Sequence, residues 1–357
     1  MAGVCLTVLY CASGKADRPW TISSEQQARS SKVLPGFNLV KWLGPDRSLF
    51  LNWSVWSELS AASPAVVLVG GYNHLTFWMA MLWCRWRKVP FVMMCETHRV
   101  SKPGGARAWL RERVVRWVFR NAAGALPTGI KAQRFVRHYG GDGLPTSAMP
   151  NVPDISRLSD LALSRRRPHP TDGPLKILFV GRLIEKKCVH HLIESVTLLP
   201  KQLQRRIEVN IAGDGPERGR LLRMVGAAGV EAKFNFLGFI QPQSLDGIYL
   251  SSHVFVMPSS ETWGVAPIEA AAMGALVIVA DTVGCSEDLS QRGAASIFKA
   301  GDSSDLSRQI AGVLERTAST APAALDDWSY QAQAMKLHDF LAGLTRAGAP
   351  SSEAQAP

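Results

Sequence analysis

Short apolar runs alternate with segments of helical periodicity along the second half of the chain. Apolar runs that end at Gly or Pro are typical of buried strands, and apolar residues spaced three and four apart predict helices. The predicted strands are Lys176–Gly181, Ile207–Ala212, Ala232–Leu237, Val254–Met257 and Leu276–Ala280. The predicted helices are Cys188–Leu199, Glu217–Ala228, Ser244–Ser251 and Val265–Met273. This alternation predicts a parallel sheet with helices on both faces, where ligands bind beyond the carboxyl ends of the strands.

The first half alternates in a similar way. Its predicted strands are Val4–Tyr10, Ala65–Val69, Pro90–Met94 and Ala123–Leu126, and its predicted helices are Thr76–Arg87 and Trp109–Arg120. We therefore expect an α/β protein of two Rossmann-like domains that face a cleft. The expected divisions are residues 1–164, a Pro-rich linker at 165–174, a second domain at 175–324, a helix at 325–346 that packs back toward the first domain, and a disordered tail at 347–357.

Positive charge is concentrated in the first half of the chain. The 357 residues contain 40 Lys/Arg and 29 Asp/Glu, and residues 1–170 hold 23 of the former and 9 of the latter. The densest basic segment is 106–120. Its helical stripe consists of Leu110, Val114, Trp117 and Val118, with Arg107, Arg111 and Arg113 beside or opposite it. Two interpretations stay open: a helix packed on its own domain with a solvated basic face, or a contact with an anionic membrane. No nucleic-acid-binding motif is present, and we expect no nucleic-acid partner.

The distribution of apolar residues and cysteines predicts a cytoplasmic protein. The apolar start of the chain, residues 1–10, lacks a basic segment before it, and the apolar stretch at 75–94 is interrupted by Arg85, Arg87 and Lys88. We therefore expect neither a secretion signal nor a spanning helix. The six cysteines form no C-x-x-C pair, which favours reduced thiols. A peripheral contact with the inner face of the plasma membrane is the accompanying expectation.

Two Gly-containing turns follow predicted strands of the second half. Gly181-Arg182-Leu-Ile-Glu-Lys-Lys187 places two cations where a ligand at a strand end would lie. Arginine binds phosphate with a fork of N–H groups, and lysine binds it as a point charge. Ala212-Gly-Asp-Gly-Pro216 is the second turn and lacks the G-x-G-x-x-G order of a dinucleotide site. Each turn alone is also explained as ordinary solvated loop chemistry.

A third segment, 259–269, combines two glutamates with a helix start. Glu261 precedes the start, and Glu269 lies about one turn inside the helix. Gly264 frees the backbone there, so that the amides of Val265 and Ala266 can face a diphosphate, aided by the helix dipole. The alternative is a capped surface helix with solvated glutamates. A fourth segment, Gly284-Cys-Ser-Glu287, follows the next strand at the same edge of the sheet.

Taken in order, these segments resemble the donor domain of a retaining family-4 glycosyltransferase (glycosyl transferases group 1), which has the GT-B architecture of two Rossmann-like domains. The resemblance covers residues 175–325 through G-R-L-x-x-x-K, A-G-D-G-P, E-x-W-G-x-x-x-x-E-A and G-x-x-E. Two departures are Cys188, where the family usually has Gly after the motif lysine, and Trp263, where Phe is usual. Further departures are Leu276, where Pro is common, and Asp281, which replaces a small hydroxyl residue.

The resemblance implies roles for residues of the second half. Arg182 and Lys187 are expected to bind the donor diphosphate and stabilise the leaving group, with Gly181 in the same loop. The backbone of Gly264, Val265 and Ala266 is expected to cradle the phosphates. Glu269 is expected to hold the ribose, Glu261 to contact the transferred sugar, and the segment around Phe239 to line the base.

The first half resembles the family less closely. The strand end Phe91–Arg99 is similar to the place where relatives carry an acidic or histidine residue that faces the donor sugar, and either Glu96 or His98 fits that position. We take His98 as the catalytic candidate, although a structural bond to a neighbouring loop explains it equally well. His74, in Gly71-Tyr-Asn-His74, is a weaker candidate.

The resemblance implies an enzyme that transfers a sugar, with retained anomeric configuration, from a nucleotide diphosphate sugar to an acceptor hydroxyl. The expected acceptor is a sugar or lipid-linked saccharide of surface polysaccharide or glycolipid assembly. No D-x-D motif is present, so no metal or cofactor is expected. The alternatives are a nucleotide-sugar 2-epimerase of the same architecture, a glycosyltransferase with a soluble natural-product acceptor, and a non-catalytic nucleotide-sugar sensor or scaffold.

Overall fold

The computed structural model describes residues 5–12, 30–40, 48–98, 105–165, 173–315 and 323–347. Most of the predicted linker and almost all of the predicted tail lie outside these ranges, as do Gly14, Lys15 and Arg99.

The first half contains two short parallel sheets and one short antiparallel pair of strands, together with five helices. Its strands are β1 Val8–Tyr10, β2 Ser31–Val33, β3 Phe37–Asn38, β4 Phe50–Leu51, β5 Val67–Val69, β6 Phe91–Cys95 and β7 Gly124–Pro127. Strands β5, β6 and β7 form a parallel sheet in that order, β1 pairs with β2 in parallel, and β3 pairs with β4 antiparallel. The helices are α1 Val55–Ala62, α2 Leu75–Arg87, α3 Gly105–Asn121, α4 Ile130–Gly140 and α5 Ile155–Arg165.

The second half is built on one six-stranded parallel sheet. Its strands are β8 Leu175–Val180, β9 Ile207–Ala212, β10 Phe234–Gly238, β11 Val254–Met257, β12 Leu276–Ala280 and β13 Ala295–Phe298. Its helices are α6 Val189–Leu198, α7 Lys201–Gln204, α8 Arg218–Ala227, α9 Leu245–Ser251, α10 Val265–Ala272, α11 Ser286–Gln291, α12 Ser303–Glu315 and α13 Tyr330–Ala347. The strand order is β10-β9-β8-β11-β12-β13, which is the 3-2-1-4-5-6 order of a Rossmann fold counted from β8.

This strand order positions the site. The chain moves outward from β8 through β9 to β10, then returns to β11 beside β8 and moves outward on the other side. The loops after β8 and β11 therefore turn to opposite sides and leave a crevice beyond their carboxyl ends. The two strands are adjacent, with Val254 paired to Ile177 and Phe255 to Leu178.

Two apolar cores support the sheets. The first is built around β6, where Phe91, Val92 and Met93 are fully buried, because helices cover this short sheet. The second surrounds β8–β12, and it includes Ile155 and Leu158 of α5. A Cβ on Gly124 of β7 would lie 2.8 Å from the ring of Phe340, so α13 packs against the first sheet. The predicted domain divisions stay a prediction, and α5 contributes to the second core.

Most predicted elements are confirmed, including the ends of β9, β11 and β12. The final helix was predicted from residue 325 but begins at Tyr330, after the 3-10 turn Asp326–Trp328. The pattern on α3 was also wrong in part. Its buried residues are Val115, Val118 and Phe119, while Leu110 of the predicted stripe is 58% exposed. Among the described residues, no helix is long and apolar enough to cross a membrane.

Candidate active site

A lysine and a glutamate meet across the crevice between β8 and β11. Lys187 ends a 3-10 turn, Glu185–Lys187, in the loop after β8, and Glu261 lies in the loop after β11. Lys187 Nζ lies 2.6 Å from Glu261 Oε1, and both side chains are about four-fifths buried. A Cβ on Gly181 would lie 3.6 Å from Lys187 Cε, so the lysine chain runs close to that turn. Arg182 is exposed in the same loop.

The glycines of the A-G-D-G-P segment let two loops touch. A Cβ on Gly213 would lie 1.8 Å from the carbonyl oxygen of Gly181, and one on Gly215 would lie 2.4 Å from that of Leu183. The close approach is held by backbone bonds, with the Leu183 amide donating to Asp214 O at 2.8 Å. The segment follows β9, the strand next to β8, and it therefore shapes the Gly181–Lys187 loop that follows β8.

The amino terminus of α10 is held at the crevice by the loop after β12. Gly264 precedes the helix with a φ of 105°, in the region that favours glycine. A Cβ on Gly284 would lie 1.9 Å from Thr262 O, and the Gly284 amide donates to Glu261 O at 3.0 Å. Val265 and Ala266 begin the helix, where first-turn amides lack intrahelical acceptors and the dipole favours an anion.

Glu269 lies one turn further along α10, in a half-buried position. The hydroxyl of Tyr249 donates to Glu269 Oε2 at 2.8 Å. Burial raises the pKa of the Glu269 carboxyl above its usual range. A partly desolvated carboxylate that already accepts one hydrogen bond is suited to accept others from hydroxyl groups of a ligand. Phe239, just after β10, is 59% exposed and offers a ring face at this edge of the sheet.

A cavity of about 880 Å³ lies beyond the strand ends of the first sheet and reaches the loop before α10. On the side of the first half, residues at the strand ends line it: Gly71, Tyr72, Glu96 and Thr97. On the other side, Thr262 and Tyr330 line it. His98 follows β6, and its Nδ1 lies 3.2 Å from Thr262 O, in the loop between Glu261 and Gly264. The structure therefore brings His98 to the loop before α10, and Glu96 to the cavity.

His74 instead contacts residues that hold the fold of the first half together. Its Nδ1 accepts a hydrogen bond from the Phe50 amide at 3.3 Å, and its ring contacts Phe50 and Phe77. These contacts join the loop before α2 to β4. Nothing here favours His74 as a catalytic group.

The comparison with protein families identifies the second half. Residues 163–335 match the model described as Glycosyl transferases group 1. The second half of the chain belongs to this glycosyltransferase family. The match confirms the predicted resemblance.

Two curated relatives illustrate how far the likeness extends. One is an uncharacterized glycosyltransferase of Methanocaldococcus jannaschii, 38% identical over 32% of this chain and 30% of its own length. The other is a 2-deoxystreptamine glucosyltransferase of Streptomyces kanamyceticus, 26% identical over 77% of this chain and 69% of its own. The chain thus spans less than a third of the first relative's length.

A solved structure shares the fold. The Anabaena protein HepE, in complex with UDP, matches 89% of this chain and 84% of its own with a TM-score of 0.59 and 19% identity. The likeness confirms the predicted α/β architecture of two parallel-sheet domains, which matches the GT-B glycosyltransferases.

Two of the four family departures, Cys188 and Trp263, have a visible structural consequence. Cys188 adopts a φ of 53° after Lys187, a left-handed conformation that explains why Gly is usual there. The indole Nε1 of Trp263 donates to Asn151 O at 2.7 Å, a bond that the usual Phe cannot make. A Cβ on Gly129 would lie 2.4 Å from the Trp263 ring, so this tryptophan packs closely against the turn before α4.

The groups that join the two halves of the chain were not predicted from the sequence. The Ile130 amide, at the start of α4, donates to both carboxylate oxygens of Asp288 at 3.2 Å. Lys131 Nζ donates to Val283 O at 2.9 Å and to Ser286 Oγ at 2.7 Å. Arg134 pairs with Glu287 at 2.6 Å. The apolar spacing of α4, with Ala132, Phe135, Val136 and Tyr139 buried, was a readable signal for the helix that carries them.

Proposed function

We propose that this glycosyltransferase moves a sugar from a nucleotide diphosphate sugar to an acceptor hydroxyl, with retained anomeric configuration. The observation that carries the proposal is the meeting of Lys187 and Glu261 beside the amino terminus of α10. A cation and first-turn amides at the crevice of a 3-2-1-4-5-6 sheet form a site suited to a diphosphate. The retained configuration follows from the resemblance to a retaining family.

The proposed chemistry is mainly electrostatic. As the bond between the sugar and the diphosphate breaks, negative charge develops on the leaving phosphate oxygen. Arg182, Lys187 and the amides of Val265 and Ala266 stabilise that charge in a site that is already organised. The acceptor oxygen bonds to the anomeric carbon from the same face, and its proton passes to the leaving phosphate. Closure around the cavity excludes water and suppresses hydrolysis of the donor.

The other proposed site residues orient the donor. Glu269 accepts hydrogen bonds from the ribose hydroxyls, and Phe239 packs on the base. Gly181 and Gly264 let the backbone approach the phosphates. Glu261 and His98 contact the transferred sugar, one from each half of the protein, and His98 exchanges its bond to the Thr262 carbonyl for one to the sugar. We propose no metal for the reaction.

The acceptor is proposed to enter the cavity of about 880 Å³ from the first half. Its lining contains Arg111 and Tyr72, which suit a polar or anionic acceptor. The basic first half supports a sugar or lipid-linked saccharide of surface polysaccharide or glycolipid assembly, made at the inner face of the membrane. Labelled donor distinguishes the reactions: transfer moves the label to the acceptor, whereas 2-epimerisation leaves it on the nucleotide.

Lys187→Ala tests the diphosphate site. Because hydrogen bonds to charged groups are worth about 1.5–3 kcal/mol, the affinity for the best-binding nucleoside diphosphate among UDP, GDP and ADP should fall roughly tenfold to a hundredfold. Isothermal titration calorimetry measures the loss. Lys186→Ala, which changes the exposed neighbouring lysine, is the matched control and should bind as the unchanged chain does. Equal affinity of the two variants would contradict the assignment.

A further inference from the structure

Helices α2 and α3 lie side by side and turn one shared face away from the first sheet. They connect β5 to β6 and β6 to β7, and right-handed crossovers between parallel neighbours place both helices on the same side. The rings of Trp78 and Trp117 stack between the helices at 5.5 Å. The guanidinium of Arg85 lies 5.9 Å from the Trp117 ring and donates to Asn121 Oδ1.

This outward face exposes large apolar side chains. On α2, Leu82 is 49% exposed and Trp86 is 67% exposed. On α3, Trp109 is 60% exposed and Leu110 is 58% exposed. Trp86 also stacks on Trp56 of α1 at 5.8 Å. Single exposed leucines are common on protein surfaces, but two tryptophans and two leucines exposed on adjacent helices are typical of an interaction surface.

Arginines accompany the tryptophans. The guanidinium of Arg87 lies 5.6 Å from the Trp86 ring centre, and that of Arg113 lies 4.9 Å from the Trp109 ring centre. Residues 75–121 contain ten Lys/Arg against two Asp/Glu. One of these acids, Glu112, is already paired with Arg116 at 2.7 Å. The α2–α3 face, defined by Leu82, Trp86, Arg87, Trp109, Leu110 and Arg113, is therefore apolar and cationic together.

We infer that the α2–α3 face docks on an anionic lipid bilayer. Tryptophan favours the headgroup level of a membrane, leucine the acyl boundary, and arginine the lipid phosphates. We infer a bilayer because its anionic headgroups complement the arginines and its acyl chains accommodate the aliphatic side chains. Leu82 and Leu110 gain nothing from stacking on nucleic-acid bases, so the bilayer explains more of the face than a nucleic acid does.

The docking surface adjoins the acceptor cavity. Arg111, next to Leu110 on α3, lines that cavity, and so does Met94 at the end of β6. Docking would bring this side of the cavity close to lipid headgroups, where a lipid-held acceptor is delivered. This last step rests on the proposed function, whereas the docking itself does not.

Sedimentation with vesicles tests the docking without any turnover. The full chain should sediment with phosphatidylglycerol–phosphatidylcholine vesicles at low salt, more weakly with pure phosphatidylcholine, and release as salt rises. Since each basic residue near an anionic surface contributes about a fivefold gain in binding, Arg87→Gln with Arg113→Gln should weaken the binding by roughly 30-fold. Trp86→Ser with Trp109→Ser should weaken binding to both kinds of vesicle.

The matched control lies on α8 of the other half. Leu222→Ser with Arg223→Gln removes one exposed leucine and one exposed arginine there and should bind vesicles as the unchanged chain does. Thermal stabilisation by the nucleoside diphosphate, recorded for every variant, reports on the donor site separately. If the full chain is stabilised by the nucleoside diphosphate but does not bind vesicles, the docking proposal is overturned and the proposed transfer reaction is not affected.

Two further results would overturn the proposal. One is vesicle binding that is equal in the arginine variant, the tryptophan variant and the control. The other is a single-stranded RNA that displaces the vesicles and binds through the same arginines, which would assign the face to nucleic acid instead.

Discussion

At the residue scale, the site depends on charged side chains that are mostly buried from water. Lys187 and Glu261 are 74 positions apart in the chain, yet their charged atoms lie 2.6 Å apart. Glu269 is held by the Tyr249 hydroxyl, which leaves one carboxylate oxygen for a further partner. A ligand that brings a diphosphate and two ribose hydroxyls would satisfy the cation and the buried carboxylate together.

Glu269→Ala should remove discrimination for the ribose. The unchanged chain is expected to bind a nucleoside diphosphate more tightly than its 2′-deoxy form by about tenfold or more, because a buried carboxylate accepts the hydroxyl hydrogen bond. In the variant the ratio should approach one. Calorimetric titration of both nucleotides gives the ratio, with Glu315→Ala on α12 as the exposed control. An unchanged ratio in Glu269→Ala would place the ribose elsewhere.

At the element scale, the site is made by loops that press on each other at the carboxyl edge of the sheet. Gly213 and Gly284 are positions where any side chain would meet a neighbouring carbonyl oxygen. The same two loops therefore determine the shape of the Gly181–Lys187 loop and of the turn before α10. Cys188 differs from these glycines, because it adopts a left-handed φ although it carries a side chain.

Gly213→Ala should disturb the first of these loops. The added Cβ would overlap the Gly181 carbonyl, and overpacking of this kind costs about 1–3 kcal/mol in the free energy of unfolding. Affinity for the nucleoside diphosphate should fall as well, because the loop that carries Lys187 must shift. Gly247→Ala, on the exposed side of α9 with open space around it, should instead stabilise by roughly 0.5–1 kcal/mol. Chemical denaturation measures the free energy of unfolding of both variants. A similar change in that free energy for Gly213→Ala and Gly247→Ala would contradict the packing argument.

The elements also show what the sequence could predict. Strands β9, β11 and β12 were predicted to the residue, because an apolar run bounded by polar or small residues has clear ends. The motifs indicated which loops carry the site. The pairing of Lys187 with Glu261, and of Asp288 with the Ile130 amide, could not be predicted, because such contacts depend on how separate elements pack. The outward orientation of Leu110 was missed for the same reason.

At the scale of the whole molecule, the contacts between α4 and α11 join the two halves. Asp288 is their most buried charge, and burial raises the pKa of its carboxyl to about 6, while the Ile130 amide and Arg292 oppose the rise. Arg134 and Glu287 pair beside it, and Lys131 bonds to the loop before α11. A carboxyl whose pKa is raised on folding stabilises the folded chain at low pH and loses that contribution as pH rises through its folded pKa.

Asp288→Asn should remove this pH dependence. The amide oxygen can still accept from the Ile130 N–H, but it does not titrate. Between about pH 5 and pH 7 the free energy of unfolding of the unchanged chain should fall by about 1 kcal/mol relative to the variant. Denaturation curves at the two pH values give this difference. Parallel changes in both proteins would show that Asp288 titrates normally.

The most direct test of the account is a crystal structure with the best-binding nucleoside diphosphate. We expect the diphosphate between the loop after β8 and the start of α10, within hydrogen-bonding distance of Lys187 Nζ and the amides of Val265 and Ala266, with the ribose on Glu269. A diphosphate bound away from this crevice would contradict the central claim.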